Sequence, residues 1–144
     1  MERSSIKAWQ WGLYDFANSL ANVAVSFYFV LWFVESFRGS EGGISVVVAL
    51  VTVLLLCTLP QIGAHADYNG IHVKRLTQLT FGSIATLCVL GLFTMTLGES
   101  SSITTLFVLG LYGLFQYFYQ SSVSIYTSLL RFVGTVGNNE AVRV

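Results

Sequence analysis

The chain has 144 residues, 54% of them hydrophobic and only 10% charged, with a mean hydropathy of +0.70. A water-soluble domain of this length needs far more polar surface, so the composition points to a protein whose outside faces lipid. Seven basic and seven acidic residues cancel, leaving no excess charge to draw a nucleic-acid partner.

Four stretches reach the roughly 20 mostly apolar residues that a helix needs to cross a bilayer. They run over about 11–34, 44–63, 76–97 and 103–126. Helix is the economical choice in each, because backbone facing lipid must satisfy its own hydrogen bonds. The expected fold is therefore an all-α membrane protein of four transmembrane helices, a single membrane domain over residues 1–144 with membrane lipid as its solvent.

The first span follows Arg3 and Lys7, as a signal peptide's apolar region would. Its apolar run is too long for one and is interrupted early by Asp15 and Asn18, so it stays in the mature protein. At 100° per residue, Asp15, Asn18, Ser19, Asn22 and Ser26 fall within an arc of about 100°. Ala17, Ala21 and Ala24 gather roughly opposite, where small side chains permit close helix packing. A polar seam of this kind must face protein or a water-filled space. Two readings compete. In one, Asp15 sits in the first turn, favoured by the helix dipole, and the asparagines join helices. In the other, the seam lines a solute or ion path in which Asp15 takes up protons or cations. The first suits Asp15 alone; the second suits the seam as a whole.

A short break, "ESFRGSEGG" (35–43), leads to the second span, in which Pro60 removes the hydrogen bond to the Leu56 carbonyl and is expected to kink the helix. "GAHADYNGIHVKR" (63–75) then reads as a loop. Asp67 follows the C-terminal end of span two, where its charge opposes the helix dipole and calls for a partner. Lys74, Arg75 or the N-terminus of another helix would serve. Gly70 suits the tight turn back to the membrane. An ordinary solvated loop accounts for Lys74 and Arg75 but poorly for Asp67. His65 and His72 lack ligand spacing, so no metal or cofactor is expected. Cys57 and Cys88, each inside an apolar run, read as buried packing thiols.

"GESSS" (98–102) leads to the fourth span. There Tyr112, Gln116, Tyr119, Gln120 and Thr127 share a narrow arc, with Ser124 at its edge. Interhelical hydrogen bonds in membranes are worth only about 0.6 kcal/mol each. Two amide-rich helix faces are thus better explained by a shared polar cavity than by adhesion.

Orientation follows from Lys and Arg. With the N-terminus in the cytoplasm, Arg3, Lys7, Lys74, Arg75, Arg131 and Arg143 lie inside and only Arg38 outside. The expectation is a multi-pass protein of the plasma (inner) membrane with both termini cytoplasmic. No HExxH, GxSxG, phosphate-binding loop or paired His/Asp site is present, and no Ser or Thr has a visible base, so an enzyme is not expected.

The order G-x-x-x-D-x-x-G followed by basic residues, here Gly63, Asp67, Gly70, Lys74 and Arg75, resembles the signature loop of the major facilitator superfamily. "WGLYDFANSLANV" (11–23) is similar to the start of the branch called the unknown major facilitator family, related to autophagy-associated vacuolar amino-acid effluxers. "FYQSSVSIYTSLL" (118–130) is similar to that branch's fourth-helix ending. The resemblance implies part of the N-terminal half of a major facilitator fold, completed by the remaining helices of a transporter of twelve or so. It also implies alternating access, with a small polar solute bound near mid-membrane, amino acids being the analogy-based choice. Asn18, Asn22, Gln116 and Gln120 would line that pathway with Asp15. Asp67 would latch the cytoplasmic side by docking on a helix of the opposite half. Tyr68, Ile71 and His72 stand where the loop usually carries basic residues, and no arginine lies inside span four, so proton coupling is not implied. "RFVGTVGNNEAVRV" (131–144) reads like the lead-in to a fifth helix, implying a fragment. The alternatives are a self-assembling four-helix small exporter and a non-transporting membrane adaptor.

Overall fold

The computed structural model describes residues 8–96 and 101–141, with side chains described over 12–66, 68, 70–95 and 101–129. Its backbone is helical almost throughout, with no strand among the described residues. Helix α1 (Ala8–Ala24) runs on through two π-helical stretches, Val25–Phe29 and Trp32–Ser36. Helices α2 (Glu41–Asn69), α3 (His72–Thr96) and α4 (Ser102–Ala141) follow. Four segments are long and apolar enough to cross a membrane: Gly12–Ser36, Glu41–Ala66, His72–Met95 and Ser102–Leu129. Such a chain is built to be embedded in a bilayer.

The helices overrun the expected spans at most of their ends, because hydropathy marks contact with hydrocarbon whereas a helix stops where its backbone must turn. The largest correction concerns 64–75, expected as a loop. His65, Ala66 and Tyr68 carry no helix-breaking feature, and α2 continues to Asn69. It also passes through Pro60. Gly70 then adopts φ +62°, the left-handed conformation that glycine reaches without a Cβ penalty. The Ile71 N–H donates to the Ala66 carbonyl at 3.2 Å, the 6→1 bond of a Schellman cap. The Arg75 N–H donates to the Ile71 carbonyl at 3.0 Å, so α3 begins at once. The reversal occupies Gly70 and Ile71 alone. At α4, the Ser101 Oγ accepts from the Ile103 N–H at 3.3 Å, an N-cap that starts the helix. Helix α4 has 40 residues, about 60 Å, roughly twice the hydrocarbon thickness.

The chain divides into two compact units, Met1–Ser40 and Glu41–Val144. In the first, Val25, Phe29, Phe33 and Phe37 are all buried and lie four residues apart. An α-helix has 3.6 residues per turn, so such a row would wind off one face by about 40° per step. A π-turn, closed by i→i+5 bonds, holds more than four residues and offsets that drift. Alternating the two keeps the row aligned. Phe29 and Phe33 stack with centroids 5.8 Å apart, and Phe33 and Phe37 stand 5.6 Å apart. Trp32 flanks the row, 6.0 Å from Phe29 and 5.3 Å from Phe37.

In the second unit α4 is the central helix, packing along α3 and, less extensively, along α2. Its buried stripe is Val108, Tyr112, Phe115, Tyr119, Ser122, Tyr126 and Leu129. The spacing alternates four and three, the heptad pattern of helices packed at a shallow angle. Phe93 meets Phe107, and a Cβ on Gly82 would come within 3.1 Å of Phe118, so α3 and α4 run antiparallel. Gly43 approaches Leu109 and Gly113 approaches Val47, so α2 and α4 run parallel. The thiols of Cys57 and Cys88 are exposed rather than buried, because in a lipid-facing bundle apolar surroundings are found on the outside as well as in the core.

Candidate functional site

On α1, Asp15 is exposed and Asn18 and Asn22 are half-buried. The Ser26 Oγ, just inside the first π stretch, donates to the Asn22 Oδ1 at 3.4 Å, which ties the end of the seam together. Neither Asp15 nor Asn18 has a hydrogen-bond partner among the described residues. The α1 seam belongs to the first unit and the glutamines of α4 to the second.

On α4 the expected polar arc separates into two parts. Tyr112 and Tyr119 are buried in the packing stripe, so their rings serve the bundle rather than a cavity wall. Beside them the Gln116 Nε2 donates to the Tyr112 hydroxyl at 2.8 Å, one turn away. This bond fixes the amide group and leaves its carbonyl oxygen as an acceptor. Gln120 is exposed and has no partner among the described residues, and Thr127 returns its hydroxyl to the Ser124 carbonyl at 2.9 Å.

Many of the other polar side chains of the spans behave differently. Thr52, Thr58, Thr77, Thr80, Ser83, Thr86 and Thr94 each donate to a carbonyl three or four residues back, at 2.7–2.9 Å. Gln61 does the same with its amide, to the Cys57 carbonyl at 3.2 Å. A hydroxyl closed on its own helix can face lipid at little cost. Asn18 and Gln120 make no such bond, and an open amide in hydrocarbon is expensive.

At the other group of expected residues, Gly63 is half-buried on α2 and lines a cavity of about 80 Å³ beside the α2–α3 turn. Gly70 makes the turn. Lys74 is exposed. Arg75 is half-buried, with its Nε enclosed and without a hydrogen-bond partner among the described residues. Asp67 lies in the last turn of α2, and its side chain falls outside the described residues. The structure thus brings Gly63, Gly70, Lys74 and Arg75 to one end of the α2–α3 hairpin.

Two features escaped the sequence reading. The π-turns were signalled by the aromatic row at every fourth position, a period between those of the two helices. Ser128, on the cavity wall with Ser124, carried no signal beyond its one-turn spacing. No family model, curated protein or solved structure matches this chain. The likeness to the major facilitator superfamily therefore rests on the motif residues alone.

Proposed function

We propose that this chain contributes four helices of a secondary active transporter that moves a small polar solute across a membrane by alternating access. The observation that carries this reading is the set of amides within the spans, of which Asn18 and Gln120 have no hydrogen-bond partner among the described residues. Asn22 and Gln116 each lie within about 3 Å of the midpoint of their own apolar segments by helix rise. Asn18 and Gln120 lie about one to two turns further toward the ends that the Lys/Arg bias assigns to the cytoplasm. Groups of this chemistry at this depth need protein or water to bond with, and a central solute cavity supplies both. The amides would hydrogen-bond a solute's polar groups, and Asp15 would favour a cation or a proton at the cytoplasmic mouth. Amino acids fit that chemistry and the resemblance together.

Asp67 is proposed as the cytoplasmic latch, with Gly63, Gly70, Lys74 and Arg75 shaping the end on which it acts. The test is solute flux into proteoliposomes carrying the transporter. Asn22→Leu combined with Gln116→Leu is expected to abolish flux while leaving insertion and thermal unfolding unchanged. Retained flux would demote the amides to helix contacts. Asp67→Asn is expected to slow transport without affecting insertion, and unchanged transport kinetics would reject the latch.

A further inference from the structure

The cavity of about 80 Å³ at the turn end of the second unit shares Gly63 with the proposed latch end, but its other wall residues have no part in the proposed transport. It is walled by Leu59, Ile62, Gly63 and Ala66 of α2, His72 of α3, and Ser124, Ile125 and Ser128 of α4. A space of that size holds roughly three water molecules or a few methylene groups, and the walls decide between them. The Ser124 hydroxyl has no partner among the described residues. The Ser128 hydroxyl donates to the Ile125 carbonyl at 2.7 Å, which leaves its oxygen free to accept. The His72 imidazole adds a third polar group, from the first residue of α3. One turn deeper on the same face of α4, Ser121 is wholly buried with its hydroxyl unmet among the described residues. Purely apolar cavities stay dry, whereas a space with several polar wall groups is filled by bonded water.

We propose that this cavity is a solvent-binding site in which a small cluster of water molecules links Ser124 and Ser128 of α4 to His72 of α3 across the face of α2. The waters bridge polar groups of α3 and α4 that line one space together with the apolar residues of α2. The site depends on local packing of α2, α3 and α4 and needs no bound solute.

Its test is a double-mutant cycle on thermal unfolding of the purified chain in lipid nanodiscs. A Cβ on Gly63 meets no atom within 4 Å, so Gly63→Leu can enter the space and displace its contents. In a wet site, Ser124→Ala removes a water ligand and lowers the Tm of the parent by a few degrees. In the Gly63→Leu background the same change removes a stranded hydroxyl and raises the Tm. A sign reversal between the two backgrounds is the expected result. Equal effects in both would overturn the proposal, since a dry cavity has nothing for the leucine to expel. Should Gly63→Leu fail to fold, magnetisation transfer from water in the parent protein decides. Cross-peaks to the Ser124 amide and the His72 ring are expected, and their absence overturns the site.

Discussion

Two single residues set where helices begin and end in this chain, and each makes a measurable prediction. Gly70 holds φ +62°, a conformation that costs a residue with a Cβ about 1–2 kcal/mol. Gly70→Ala is expected to lower unfolding stability by about that amount, with the fold retained because a Cβ there meets open space. Chemical unfolding followed by far-UV circular dichroism would measure it, and an unchanged midpoint would contradict the cap. Ser101 has the opposite role, accepting the Ile103 N–H at the start of α4. Ser101→Ala is expected to cost about 1 kcal/mol, against no effect for Ser102→Ala, whose side chain is exposed within the helix. Gly70 could be read in the sequence, because few residues other than glycine serve a turn between two long apolar runs. Ser101 could not: in "GESSS" three successive serines offer the same hydroxyl, and only backbone geometry selects the cap. The exposed thiols were misread for a related reason, since an apolar neighbourhood in sequence does not say which side of a membrane helix faces its partners.

Among the elements, hydropathy located all four spans but misjudged their ends. It reports where hydrocarbon surrounds the chain, and α2 continues past that limit until a glycine releases it. Every residue from Asp15 to Asn22 lies before the first π-turn, so the 100° rule that sets out the expected seam holds over that part of α1. Beyond Val25 the rule loses phase, and the aromatic row is visible only on a count of four. On the α4 arc polarity and burial diverge at tyrosine: the Tyr112 ring packs in the core while its hydroxyl accepts from Gln116. Packing between elements gives the sharper test. A Cβ on Gly113 would approach Val47 to 2.9 Å, closer than such atoms tolerate, whereas one on Gly110 meets nothing within 4 Å. Gly113→Leu is therefore expected to push α2 from α4 and cost about 1–3 kcal/mol. Gly110→Leu, three residues away on the same helix, is expected to be neutral or slightly stabilising, because leucine has the better helix propensity. Thermal unfolding of the pair in one detergent compares them directly, and equal losses would mean that the α2–α4 contact is not as close as described.

For the molecule as a whole, the consequential question is which way the spans run, because the latch and the solute pathway both need a cytoplasmic end. Within the second unit the two-residue reversal at Gly70 and Ile71 makes α2 and α3 antiparallel, and the glycine contacts make α2 and α4 parallel. Positions near 40 and 100 must then lie on one side and positions near 70 on the other, whichever side that is. The choice of side rests on Lys and Arg alone. Lys74 and Arg75 stand immediately after the reversal and Arg38 at the opposite end of α2. Basic residues are retained in the cytoplasm, so the turn is expected inside. Reporter fusions are predicted to show residues near 40 and 100 outside and those near 70 and 140 inside, in a single orientation. A self-pairing small exporter that inserts both ways would instead give mixed signals at every position. If inverting the bias, by Arg3→Gln, Lys7→Gln, Lys74→Gln, Arg75→Gln, Arg131→Gln and Arg143→Gln with Arg38 kept, leaves the pattern unchanged, orientation is set by something other than these side chains. The assignment of Asp67 to a cytoplasmic latch would then lose its footing, while the solvent site at the same turn, which depends only on local packing, would stand.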